Sequence, residues 1–351
     1  TIASLLQSIF EQDRQMKCLM LVPDLGLVNQ THSDFTEYQT TFLHSKWTGS
    51  NKLNLGSNVI VANMGILQSE KSDISWTEDI DFLIIDEVHK LRKDNKINKI
   101  VKKIRTPHRF GFTGTMPEGK LDQWNIIGSI GRILYERNSF QLREQKYVAK
   151  AKIQILKIEY TDKPEVFPND RFEPTAKFRR EQQFMAKNPF RNSIISKLSS
   201  NFDNNSLIMV DYIEHGEELF GRLKADCKNK QVFFIRGDVA VEEREKVKKL
   251  MEKTSDVICI AISKIFSTGI NIKNLHYIMF AGGGKAKVKI IQSIGRGLRL
   301  HKDKEGVIII DIADMLYYGI KHYTKRLSLY KEEQINYGIK KIKQGKETTL
   351  C

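Results

Sequence analysis

Asp86 and Glu87 are adjacent carboxylates, with His89 two residues further on. Such a pair can divide two tasks: one carboxylate holds a divalent cation and the other polarises a water for attack. Two other groups carry matching chemistry. Arg296 and Arg299 stand three apart, so on a helix they share a face, and each guanidinium fork can hold two phosphate oxygens. Thr113 and Thr115 flank Gly114 and offer hydroxyls to neighbouring groups. Together these residue types suit phosphoryl transfer to water, where positioning and charge neutralisation carry the reaction. Each also has a plainer explanation when taken alone: a solvated acidic turn, a solvated basic helix and an ordinary turn.

The elements that must position these residues are legible in the hydropathy pattern. Phe82, Leu83, Ile84 and Ile85 form an apolar run without alternation, as in a strand buried on both faces. Asp86 and Glu87 then fall just past the carboxyl end of that strand, where open α/β sheets bind ligands. Around it the spacing predicts a helix over 1–13, a strand over 18–22 stopped by Pro23, and a helix over 25–38 with Asp24 as N-cap. After these come a loop, a strand over 59–62, a basic helical stretch over 90–105 and a strand over 110–115. Strand and helix alternate, which argues for a parallel sheet with crossover helices.

The alternation lapses over 136–150 and then resumes. Residues 152–160 alternate apolar with polar, as a half-exposed strand does, and Pro164, Pro168 and Pro174 punctuate the polar segment after it. Helices are expected over 184–198, from 214, over 241–253 and over 287–296, and strands over 207–210, 232–235, 257–262, 275–281 and 307–312. A long basic helix over 321–346 is expected to close the chain. The fold class is thus α/β, with two tandem units, each built on a parallel sheet: residues 1–138, residues 139–318 and a C-terminal basic helix over 319–351.

The 351 residues include 57 Lys and Arg against 42 Asp and Glu, a net charge of +15. That balance favours a polyanionic partner, although an ordinary basic surface accounts for it too. The four cysteines show no metal-ligand spacing and suit reduced thiols in a cytoplasmic protein. No apolar run approaches the roughly 18 residues that span a bilayer, and no basic-then-apolar leader opens the chain. Gly282, Gly283, Gly284 and Lys285 come after a strand but lack the leading glycine and trailing hydroxyl of a phosphate loop.

Taken in order, these segments resemble the motifs of superfamily 2 helicases. Asp86-Glu87-Val88-His89 resembles the DExH motif II, and Thr113-Gly114-Thr115 resembles motif III. Residues 292–299 (Gln-Ser-Ile-Gly-Arg-Gly-Leu-Arg) fit motif VI, and residues 267–271 (Ser-Thr-Gly-Ile-Asn) resemble motif V. Leu21-Val22-Pro23 with Gln30 resembles motif Ia, and Gly237 with Arg244 resembles the motif IVa region. Any one of them is weak; six in order along nearly the whole chain are specific, and the nearest match is the phage UvsW-like branch, DNA–DNA and RNA–DNA helicases of recombination and repair.

The resemblance implies two RecA-like domains with ATP between them and single-stranded or branched DNA or RNA across their top. Asp86 and Glu87 would then serve Mg2+ and water, and Arg296 and Arg299 would meet the γ-phosphate. Gln292, His89, Gly269 and Thr1 would face the nucleotide, and Thr113 and Thr115 would couple hydrolysis to movement. Pro23, Gln30, Thr268 and Asn271 would touch nucleic acid. Two departures stand out. No Walker A loop is present, and Thr1 falls where its final hydroxyl residue would, so the chain is expected to begin at the end of that motif. Asp24 stands where motif Ia usually has Thr, and a carboxylate there repels phosphate. The alternative is a nucleic-acid-binding clamp without catalysis; a restriction-enzyme motor subunit would need a nuclease cluster, and none stands out.

Overall fold

The structure is a computed structural model that describes all residues except 70–72, 115, 118, 138–140, 142–149, 165–173, 238, 240, 264–271, 273, 283–305 and 346–351. Two compact units divide the chain, Thr1–Glu136 and Arg137–Cys351.

Among the described residues of the first unit, five parallel strands stand in the order β2-β3-β1-β4-β5. They are β1 (Cys18–Val22), β2 (His44–Trp47), β3 (Val59–Asn63), β4 (Phe82–Ile85) and β5 (His108–Gly111). The helices are α1 (Ile2–Gln12), α2 (Leu25–Glu37), α3 (Met64–Leu67), α4 (Lys96–Lys103) and α5 (Lys120–Ile130). Successive side chains of a strand point to opposite faces, and the two cores obey that rule. Cys18, Met20, Val59, Val61, Phe82 and Ile84 pack with Leu6 and Phe10 of α1 and with Val28 and Phe35 of α2. Leu19, Leu21, Ile60, Leu83 and Ile85 pack on the other face with Leu67, Ile97, Val101 and Ile126. The run 82–85 is apolar throughout because both of its faces are covered.

Among the described residues, the second unit holds seven parallel strands in the order β12-β6-β11-β10-β7-β9-β8. They are β6 (Lys150–Glu159), β7 (Ser206–Val210), β8 (Gln231–Ile235), β9 (Val257–Ile262), β10 (Tyr277–Phe280), β11 (Gly306–Asp314) and β12 (Asn336–Lys343). Its helices are α6 (Pro174–Lys187), α7 (Pro189–Ser200), α8 (Ile213–Asp226), α9 (Val241–Lys253) and α10 (Tyr317–Glu332). Residues of α6, α7 and α8 cover one face of the sheet, and residues of α9 and α10 cover the other.

Several expectations need correction. The long basic helix at the end of the chain is instead α10 and then β12. Gln334 adopts a left-handed conformation (φ 49°) that stops the helix, and Asn336–Lys343 then pairs in parallel with β6. Pairing buries both Ile335 and Ile342, which a solvated basic helix would not achieve. The strand over 152–160 is an interior strand, flanked by β11 and β12. The helix expected over 184–198 is two helices broken at Pro189, which has no N–H to give; Asn188 caps the second by accepting the Arg191 N–H at 2.9 Å. The basic stretch 90–105 is α-helical only over Lys96–Lys103, where the Asn95 side chain caps the start. Residues 44–47, expected as loop, form the edge strand β2. The strand expected over 110–115 ends at Gly111. The helix expected over 287–296 lies outside the described residues.

Among the described residues, no helix is long and apolar enough to cross a membrane.

Candidate functional site

β4 lies between β1 and β5, with Leu21 and Gly111 in register with Ile85. Three segments therefore leave the sheet side by side: Pro23 and Asp24 after β1, Asp86 and Glu87 after β4, and Phe112 and Thr113 after β5. Backbone bonds carry this order beyond the last paired residues. The Asp86 N–H donates to the Leu21 carbonyl at 2.9 Å, the Phe112 N–H to Ile85 at 2.8 Å and the Val88 N–H to Phe112 at 2.9 Å. Gly111 permits this approach, since a Cβ there would stand 3.0 Å from Val88 Cγ2 and 3.2 Å from Ile130 Cγ2.

Glu87 is in the left-handed region, φ 52° and ψ 46°. A residue with a side chain gives up about 1–2 kcal/mol there, and the surrounding bonds hold it in place. The turn brings the Glu87 N–H to Asp86 Oδ1 at 2.8 Å and sends Val88, His89 and Lys90 into a single 3-10 turn. It also places Glu87 Oε2 3.0 Å from His89 Nδ1, which lies 2.9 Å from the Thr113 hydroxyl. With an ionised carboxylate that close, Nδ1 must carry the proton, because a bare nitrogen would face the oxygen lone pair against lone pair. The Nδ1–H is then shared between Glu87 and Thr113. His89 thus links the acidic turn to the segment after β5.

Burial drives the Asp86 carboxyl up to about 6, and the charge of Glu87 adds to the effect; the Glu87 N–H and His89 partly offset it. The negative charge is more than this turn compensates. Mg2+ suits such a place: it takes hard oxygen ligands, keeps most of its waters and needs only one or two carboxylates. On that test the donor set fits a hydrated Mg2+ at Asp86.

Of the other predicted site residues, Pro23 and Gln30 are half-buried at the start of α2 and on its second turn. The Asp24 carboxylate accepts the Leu27 N–H at 3.0 Å and so occupies the amide end of α2 itself. Thr1 is the exposed N-cap residue of α1, and its carbonyl accepts the Leu5 N–H at 2.9 Å. Thr115, Thr268, Gly269, Asn271, Gln292, Arg296 and Arg299 lie outside the described residues. In the second unit, Arg244 donates from Nη2 to the Gly237 carbonyl at 2.8 Å and from Nε to Val239 at 2.9 Å, bracing the loop before α9.

Periodicity alone missed one cluster. Arg191 is fully buried; its Nε donates to Asp314 Oδ1 at 2.7 Å and its Nη2 to Asp314 Oδ2 at 3.1 Å and to the Ala281 carbonyl at 2.6 Å. The Tyr160 hydroxyl donates to the same Asp314 carboxylate. The network ties the carboxyl ends of β6, β10 and β11 to α7. The available signal was the Asn188-Pro189 helix start, which sets Arg191 in the first turn of a helix facing a sheet.

Two family models match the sequence. "Type III restriction enzyme, res subunit" matches residues 1–118, and "Helicase conserved C-terminal domain" matches residues 190–301. The ATP-dependent DNA helicase UvsW of Enterobacteria phage T4 is 27% identical over 97% of this chain and 71% of its own length. Against two other curated helicases the chain spans 38% and 34% of their lengths. Among solved structures, Saccharomyces cerevisiae Dbp5 bound to RNA and ADP BeF3 superposes with a TM-score of 0.62 at 13% identity, covering 94% of this chain and 78% of its own. The helicase MrfA bound to DNA gives 0.63 at 14% identity, covering 94% and 47%. These two show a shared two-domain RecA-like fold, and the family matches fall on both halves of it. Over both halves the chain is similar to the superfamily 2 ATP-dependent nucleic-acid helicases.

Proposed function

We propose that this chain is the motor of a DNA helicase or translocase that acts on branched DNA or R-loops in recombination and repair. The relative that supports this substrate choice is a phage DNA helicase. In this reading Asp86 would hold Mg2+ through its water shell, and the ion would supply charge neutralisation for the triphosphate. Glu87 orients and deprotonates the attacking water, and the proton moves onto its carboxylate. Arg296 and Arg299, with Gln292, approach the same triphosphate from the second half of the chain. Thr113 and Thr115 relay the state of Glu87 to the rest of the first unit, and Pro23, Gln30, Thr268 and Asn271 touch the nucleic-acid backbone.

The observation that carries the reading is the left-handed Glu87 turn, which sets Glu87 against His89 and Asp86 at the carboxyl edge of a buried parallel sheet. A solvated acidic turn has no need of a strained backbone or of a histidine bridging to the next strand. The test is ATP hydrolysis by the Glu87→Gln variant with and without DNA. Loss of a general base costs about 10²–10⁴ in rate, so stimulated turnover is expected to fall by at least the lower figure while nucleotide binding persists. Wild-type turnover in Glu87→Gln would remove Glu87 from the reaction.

A further inference from the structure

The second unit carries a surface that none of the helicase motifs accounts for. It lies where α10 begins, just past the carboxyl end of β11, and α6 crosses over it. Both oxygens of Glu181, on α6, are spent on this crossing: they accept the N–H groups of Tyr318 at 2.9 Å and Gly319 at 2.7 Å. Gly319 allows the tight start of the helix, because a Cβ there would collide with the Asp314 carbonyl oxygen at 2.2 Å. Phe178 of α6 packs edge-on against Tyr318 and His322, with ring centroids 5.4 and 5.7 Å apart. The backbone that presents Tyr317 and Tyr318 is therefore held on both sides.

What it presents is aromatic and cationic. Tyr317 is 54% exposed, its ring 5.0 Å from that of Tyr318. The Lys321 ammonium stands 4.0 Å from the Tyr317 ring centroid and 5.7 Å from that of Tyr318. Lys321 and, more weakly, Lys177 of α6 hold the Tyr317 hydroxyl below the usual phenol range. Arg179 and Arg180 are exposed on the next positions of α6. The two carboxylates beneath, Glu181 and Asp314, are turned inward to backbone amides and to Arg191.

From this arrangement we infer that Tyr317, with Lys321 and Lys177 beside it, is a stacking platform for single-stranded nucleic acid, along the carboxyl edge of the second sheet. The reason is complementarity. Every base has a π-face that an aromatic ring can hold without regard to sequence, and the cations beside it meet the phosphates. An apolar protein partner would find the Lys321 and Lys177 cations beside the rings, whereas a polyanion gains from both of them. The inference rests on the helicase reading for its ligand but not for its residues, since none of them belongs to the hydrolytic turn.

The experiment measures fluorescence anisotropy of a labelled oligothymidylate titrated with the whole chain at several salt concentrations, for wild type, Tyr317→Ala, Tyr317→Phe and Lys321→Gln. Loss of the ring in Tyr317→Ala is expected to weaken binding about fivefold to tenfold, while Tyr317→Phe stays within about twofold, because the ring and not the hydroxyl does the stacking. Lys321→Gln is expected to lower the slope of log affinity against log salt by about 1. ATP turnover without nucleic acid is expected to be unchanged in all three. Equal affinity of Tyr317→Ala and wild type overturns the platform and leaves the helicase assignment standing. If wild type itself fails to bind the oligonucleotide, both fall together.

Discussion

His89 Nδ1 lies 2.9 Å from the Thr113 hydroxyl, and that bond joins two segments of the chain 24 residues apart, one after β4 and one after β5. The same nitrogen meets Glu87 Oε2 at 3.0 Å. A change in the charge or position of Glu87 therefore alters the proton that Thr113 shares. This makes the imidazole a junction between the acidic turn and the segment after β5.

Removing the Thr113 hydroxyl should separate hydrolysis from mechanical output. Thr113→Ala leaves Asp86 and Glu87 in place, and His89 keeps Glu87 as its partner. Coupling free energies of about 1–3 kcal/mol correspond to roughly five- to 150-fold, so duplex unwinding per ATP is expected to fall about tenfold while ATP turnover changes far less. Parallel ATPase and strand-displacement assays read the ratio; an equal loss in both would show that Thr113 acts in hydrolysis itself.

Asp86 should also leave a mark on stability without metal. Its carboxyl rises from 3.8 to about 6 in the folded state. The native state then binds the proton more tightly than the unfolded chain, so the burial cost is present in full above about 6 and is relieved as pH falls through that value toward 3.8. Asp86→Asn removes the charge and keeps an oxygen for the Glu87 N–H. In metal-free buffer it is expected to stabilise the first unit by about 1–3 kcal/mol at neutral pH, with the gain shrinking as pH drops below about 6. Urea unfolding across that range is the measurement, and a gain that does not vary with pH would assign the effect to packing instead.

The buried Arg191–Asp314 pair makes the opposite prediction. Arg191→Met removes the guanidinium that meets both Asp314 oxygens, and breaking such a buried pair costs about 3–5 kcal/mol. Replacing both partners, as in Arg191→Met with Asp314→Leu, removes the stranded charge, and denaturant unfolding should then show most of the loss recovered.

The positions of the acidic pair, the two parallel sheets and most crossover helices were legible because each depends on local pattern: an apolar run for a covered strand, helical spacing for a helix with one buried face. The Glu87–His89–Thr113 contact was not legible, since it depends on a left-handed residue that no neighbouring glycine announces. The edge strand over His44–Trp47 escaped because an edge needs little apolar content, and His-Ser-Lys-Trp offers little. β12 escaped because its lysines suit a solvated helix equally well, and the turn at Gln334 again uses a left-handed non-glycine. Arg191 looks like any surface arginine until Asp314, 123 residues later, is brought beneath it.

The placement of β6 bears on how the polypeptide is made. It ends at Glu159, yet its neighbours in the sheet, β11 and β12, begin only at Gly306 and Asn336. A ribosome working from the amino end releases this strand long before either flank exists, with its backbone donors and acceptors unmatched and Ile153, Ile155, Leu156 and Ile158 uncovered. Nascent chains halted before residue 306 should therefore engage holdase chaperones at this stretch, while the sheet around β1, β3 and β4 is already closed.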